Sequence, residues 1–172
     1  EADMIAARAE IAGESDDVSG VVRIGAPDGF GVAFLAPRLG VLTERYPGLS
    51  IQLVPVPRSF SLSRREADIA ITVERPTEGR LVAGKLVDYT LGLHASRDYA
   101  QKHGLPSTIE ELKQHRLIGY VPDLLISLSL DYGPEIMPDW HASFGVSSAL
   151  GQTEAVRSGA GIGILHTFIA RA

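Results

Sequence analysis

The chain contains no cysteine among its 172 residues. That excludes a disulfide framework, a thiolate nucleophile and a thiol metal site. A reducing cytoplasm fits such a composition. No apolar run approaches the roughly 20 residues that cross a bilayer, so no membrane partner is expected. The first ten residues, EADMIAARAE, are acidic and have no long apolar core, unlike a secretory signal. Positive charge is also scarce: the formal net charge is −5, and only Arg58, Arg64 and Arg65 cluster. Phosphate contacts need grouped Lys and Arg, so this segment is not expected to be a nucleic-acid surface. Five histidines are scattered without metal-ligand spacing, and neither Gly-x-Ser-x-Gly nor a Walker A sequence occurs. No cofactor and no catalytic residue is expected.

What is present is a soluble-protein balance, 45% hydrophobic and 22% charged residues, with length enough for one large domain or two small lobes. Residues 1–12 have helical spacing, and Gly13 with the polar ESDD after it ends that helix. Residues 21–26 read as a buried strand. The stripe Val32, Leu35, Leu39, Leu42, Tyr46 then has helical period, but Pro37 lies inside it. A kink at Pro37, or a later helix start, is therefore expected. Residues 50–56 and 67–73 give two more strands, and parallel strands joined through a helix require α/β architecture.

A second series follows Gly79. Strands are expected at 89–95, 117–121, 143–148 and 162–165, with helices at 96–103 and 153–158. Ser107-Thr108-Ile109-Glu110 reads as a capping box opening a helix to about His115. Pro134 and Pro138 break any regular element in 122–142. Two successive α/β series imply two lobes joined near residues 90–95, with a cleft between them.

Two glycine-rich segments bear on ligands. Gly159-Ala160-Gly161-Ile162-Gly163 follows a helix and precedes a strand, the reverse of a dinucleotide fingerprint, so it reads as a helix C-cap. In 25–31 the glycines follow a strand and precede a helix, where free backbone N–H groups can hold an anion or polar ligand. A plain βα turn has the same sequence, and the loop alone does not separate the two. Asp28 there could cap the helix but would repel an anion unless it points away.

Three segments carry a family resemblance: VSGVVRIGAP with LAPRLGVLTERYPGLSIQL, READIAITV, and TEAVRSGAGIGIL. Over residues 18–168 their order and spacing resemble the effector-binding domain of LysR-type transcriptional regulators. The resemblance implies a periplasmic-binding-protein-like α/β fold of two lobes with an inducer in the cleft. It implies that 1–17 is the end of a linker helix and connector, 18–93 the first lobe and 94–172 an incomplete second lobe. Family domains continue several tens of residues further, so a C-terminal part is expected beyond Ala172. His166 stands where the family usually has proline, and 57–66 is shorter than usual.

By the same resemblance the effector-binding positions are Asp28, Gly29, Phe30 and Gly31 in the first loop, Arg58 and Ser59 after the second strand, and Val73 and Glu74 after the third. The second lobe adds Tyr120, Pro122, Ser148, Gln152 and Thr153. The implied partners are a small-molecule effector (a small organic acid or amino-acid-like compound, with Arg58 as countercharge) and further copies of the chain in a homodimer or homotetramer. DNA is reached only through an N-terminal winged helix-turn-helix outside this chain. The rival readings are a transporter's solute-binding protein, an enzyme on the same fold, and a domain serving assembly alone.

Overall fold

A computed structural model describes residues 18–56, 66–75, 81–125 and 130–171. The first sheet is three-stranded, in the order β2-β1-β3. β1 (Gly20–Ala26) pairs in parallel with β2 (Leu49–Pro55), from Gly20 opposite Leu49 to Ala26 opposite Pro55. β3 (Ile69–Ala70) lies parallel on the other side of β1. It is shorter than the expected 67–73. Asp68 turns its carboxylate onto the backbone N–H of Arg23 (2.8 Å), taking a position that strand pairing would otherwise fill.

Between β1 and β2 the chain forms a short helix α1 (Asp28–Phe30), a wider π-type stretch (Gly31–Leu35) and helix α2 (Ala36–Arg45). Pro37 falls in the first turn of α2, directly after the π-type stretch, so the helical backbone meets proline where its turns are widened. The regular helix thus starts later than the apolar stripe, and the Arg38 guanidinium donates to the Phe34 carbonyl at the junction (2.9 Å). The stripe does not mark a buried face: α2 has no buried residue.

The second sheet has the order β4-β7-β5-β6. β4 (Leu91–His94) runs antiparallel to β7 (Ile162–His166), while β5 (Leu117–Gly119) runs parallel to both β7 and β6 (Phe144–Gly145). Helix α3 (Arg97–His103) begins at Ser96, whose hydroxyl accepts from the Tyr99 N–H. The next capping box sits one residue later than expected. Thr108 Oγ1 accepts from the Glu111 N–H and Glu111 returns a bond to the Ser107 N–H, opening the single turn α4 (Ile109–Leu112). α5 (Gly133–Ile136) is another single turn, in the stretch without sequence periodicity.

Helix α6 (Ala149–Arg157) starts four residues before the expected 153. It ends in a Schellman motif: Gly159 N–H bonds the Val156 carbonyl (3.0 Å), Ala160 N–H bonds the Ala155 carbonyl (3.0 Å), and Gly159 has φ +81°. The C-cap reading of these glycines is therefore the observed one. Gly161 passes so close to Arg116 that a Cβ there would lie 2.3 Å from its carbonyl oxygen. β7 then enters the sheet and α7 (Thr167–Ala170) follows it.

Two buried clusters line this second sheet. Tyr99, Leu112, Leu117, Met137 and Ile162 form one, and Ile118, Ala155, Val156 and Leu165 the other.

Candidate functional site

The loop after β1 meets the second sheet's helices directly. Gly29 is buried against α6 and α7; a Cβ there would lie 2.9 Å from Ile169 Cδ1 and 3.1 Å from Ala149 Cβ. Gly31 leaves room for Pro55 on β2, 2.7 Å from where a Cβ would stand. Both glycines thus serve close packing. Phe30 stacks on Phe34 (4.8 Å between centroids) and meets the edge of Phe168 (6.1 Å).

Asp28 reaches across the two lobes. Its Oδ2 accepts the Ser148 hydroxyl at 2.6 Å and the Leu150 N–H at 3.4 Å. Ser148 is at the same time the N-cap of α6, accepting from Gly151 N–H at 3.1 Å. The carboxylate therefore sits at the positive end of that helix, where negative charge is favoured. It stands where an anionic ligand would otherwise find its donors.

Beside this contact the second lobe opens a cavity of about 420 Å³, within the size range of small-ligand pockets. Its floor is Ile118 and Gly119 of β5; Tyr120, Asp131, Tyr132 and Trp140 line its walls. Gly133 makes room for the Trp140 indole, whose Cγ lies 2.5 Å from where a Cβ would be. The Tyr132 hydroxyl lies 3.0 Å from that of Tyr89, and Tyr89 in turn faces the His166 ring at 5.1 Å.

Burial dominates the titration of the groups around the cleft. Burial, then the charge of Asp28, then Tyr89 push the Tyr120 phenol up to about 12. Burial and the bond to Tyr89 raise Tyr132 further, with Glu135 among the weaker contributors. Burial lowers the His166 imidazole, against the opposing pull of Asp28. No group of three or more His, Asp or Glu side chains could hold a metal among the described residues.

The expected site residues divide by place. Asp28 and Ser148 meet each other, and Tyr120, Pro122 and Gln152 line the cavity. Gln152 gives its amide to the Val146 carbonyl (3.0 Å), and buried Thr153 gives its hydroxyl to the Ala149 carbonyl (2.9 Å) inside α6. Val73 and Glu74 are exposed and do not line it. Arg58 and Ser59 lie outside the described residues. Sequence reasoning missed Tyr89, Asp131, Tyr132, Trp140 and Phe168. The signal available was slight: Tyr132 and Trp140 stand near Gly133 and Pro138 in a stretch with no periodicity of its own, while Tyr89 and Phe168 lie outside it.

Comparison with known proteins agrees with this architecture. The regulatory domain of CrgA, a LysR-type transcriptional regulator from Neisseria meningitidis, superposes with TM-score 0.78 at 28% identity, covering 89% of this chain and 76% of that one. The HTH-type transcriptional regulator CrgA of N. meningitidis serogroup C is 31% identical over 118 residues, which is 69% of this chain and 40% of the relative. The full-length Vibrio cholerae virulence activator AphB shares the fold, with TM-score 0.71 at 24% identity over 98% of this chain and 58% of that one. The chain spans less than half the length of that curated CrgA relative. These relatives are regulators, which does not favour the transporter reading. Among the described residues no helix is long and apolar enough to cross a membrane. The LysR substrate binding domain model matches residues 15–172, so the two lobes and their cleft have the periplasmic-binding-protein-like α/β fold expected from the sequence, and the chain belongs to the LysR substrate-binding domain family.

Proposed function

We propose that this domain senses a small molecule in the cleft between its lobes and passes the result to a DNA-binding domain elsewhere in a bacterial LysR-type regulator. The observation that carries the reading is the Asp28–Ser148 bond, which joins the two lobes beside a cavity. An effector that changes this contact has different affinities for two lobe arrangements, and so shifts their populations. Asp28 and Ser148 govern lobe closure in this reading, Gly29, Phe30 and Gly31 pack the first lobe against the second beside the cavity, Tyr120, Pro122 and Gln152 line it, and Thr153 supports α6 from within. Val73 and Glu74, exposed and away from the cavity lining, have no part in this reading beyond the family resemblance, on which Arg58 and Ser59 also rest. The first lobe ends ahead of β4, a few residues before the expected boundary at 93/94, because Leu91–His94 pairs within the second sheet; residues 1–17 are read as a linker.

The protein works in the cytoplasm as a homodimer or homotetramer, reaches DNA through an N-terminal winged helix-turn-helix, and is not an enzyme. Family membership among transcriptional regulators supports each of these.

A thermal-shift screen of the folded chain against small carboxylates, amino acids and amines tests the sensor reading. A ligand at 100 times its Kd raises stability by about 2.7 kcal/mol, and Tyr120→Ala should abolish the shift. A folded chain silent to every compound would favour a domain that serves assembly alone.

A further inference from the structure

Resting on that sensor reading, we infer that the cavity takes an organic ammonium ion and not a carboxylate. The sequence alone suggested an acid, held by helix N-termini and Arg58. The structure removes the first of these supports and leaves the second outside the described residues. The α6 N-terminus already receives the chain's own carboxylate, with Asp28 Oδ2 2.6 Å from Ser148 Oγ and 3.4 Å from Leu150 N. An incoming carboxylate would have to displace Asp28 and bring a second negative charge beside it.

The cavity itself is built for the opposite sign. Asp131 lines it, and among the described residues no Lys or Arg does so, His141 being the one lining side chain able to take positive charge. Asp131 makes no hydrogen bond or ion pair with another described residue, so its carboxylate has acceptor capacity to offer. Tyr120, Tyr132 and Trp140 stand around the same space, and the faces of aromatic rings attract cations and repel anions. Two of these rings sit in fixed settings. Trp140 rests on Gly133, and the Tyr132 hydroxyl is tied to Tyr89 at 3.0 Å. An ammonium group directed at Asp131, with its hydrocarbon part over the indole, satisfies both features in a volume of about 420 Å³.

Trp140 is the only tryptophan in the sequence and lines the cavity, so its fluorescence reports occupancy directly. The chain would be titrated at pH 8 with phenethylammonium and with 3-phenylpropionate, probes of similar shape and opposite charge. At that pH an alkylamine is protonated while an ordinary imidazole is not. The ammonium probe should perturb Trp140 saturably and more weakly as salt rises. Asp131→Asn should raise its Kd tenfold or more, and Asp131→Glu should restore most of the affinity. Binding of 3-phenylpropionate as tight as the amine's, and indifferent to Asp131→Asn, would overturn the ammonium assignment while leaving the sensor reading intact. A folded chain whose Trp140 answers neither probe overturns the assignment too. A thermal-shift hit from another class would then keep the sensor reading, and none would remove both.

Discussion

The two sheets dispose of their apolar side chains in opposite ways. Around the second sheet Ile118 is 1% exposed, Leu112 and Ile162 2%, and two clusters close over both faces of β5 and β7. Around the first, the buried apolar side chains among the described residues are Ile24 and Ala26 on β1 and Ala67 before β3. Val21 on the central strand and Val41 on α2 both stay largely exposed. The sequences of the two halves are nevertheless similarly apolar, so composition does not tell a packed face from an open one. What the first sheet gives the cleft is the single turn α1 with Gly31 after it, docked on the second lobe's helices; the second sheet gives the rigid floor. Local stability should follow the same division, because opening free energy tracks buried apolar contact.

The largest test of that division is a pair of truncations in the two central strands. Ile118→Ala should cost about 4 kcal/mol, because a fully enclosed site cannot collapse around the lost atoms. Ile24→Ala, at a site 9% exposed with few buried neighbours, should cost about half as much by the same reasoning. Urea unfolding of the two variants measures the difference. Equal costs would mean that the first sheet is as well supported as the second.

Next in size is the bond that ties the halves together. Ser148→Ala removes both the α6 cap and a charge-assisted bond to Asp28, for a combined cost of about 2 kcal/mol. Asp28→Ala should cost less, since Ser148 keeps its bond to Gly151. The double variant should be less unstable than the sum of the singles, and strict additivity in a thermodynamic cycle would show that the two side chains do not act through each other.

Titration gives a third, smaller effect at the same junction. The Tyr120 phenol is raised to about 12 in the folded chain and is ordinary when unfolded. The folded state therefore holds its proton more tightly. That stability is fully present below pH of about 10 and lost as pH rises towards 12, about 2 kcal/mol at most. Tyr120→Phe should flatten this alkaline limb. His166 has the opposite sense, for burial lowers it. Its share is full above pH of about 6.5 and falls away as pH drops through the lower folded value. Unfolding midpoints of wild type and His166→Gln across pH 5–8 would show it; parallel curves would remove the assignment.

How much of this was legible depended on whether the cause was local. The runs 21–26 and 162–165 were read as strands and are β1 and β7, because continuous apolar stretches between glycine turns have few other uses. The Gly159 turn was read as a C-cap because helix-then-strand order excludes the dinucleotide motif. Thr108 and Ser107 are equally good caps by pattern, each with a glutamate three residues on, so nothing local places the box at Thr108. The start of α6 was missed since Gly151 weakens helix propensity in its first turn, and the Ser148 cap overrides it. For the cleft, family likeness points to both Asp28 and Ser148, but their bond spans 120 residues and no spacing rule reaches that far. Asp131, Tyr132 and Trp140 fell in a stretch without periodicity, where position is decided by the Gly133–Trp140 packing and not by any local signal.

The smallest expected effect sharpens the comparison from the other side. Val41 lies mid-way along α2 and is 65% exposed, so Val41→Ala removes little buried surface and replaces a β-branched residue with the best helix former. The loss of residual burial and the gain in propensity oppose each other, each worth about half a kcal/mol, and the isolated chain should change by less than that. If unfolding of dilute protein shows that small change but the cost grows with protein concentration, then α2 is covered by a second copy, since an interface stabilises by mass action and an exposed face does not. A cost above about 1 kcal/mol independent of concentration would instead mean that this face packs within the chain, and the contrast between the two sheets would fail.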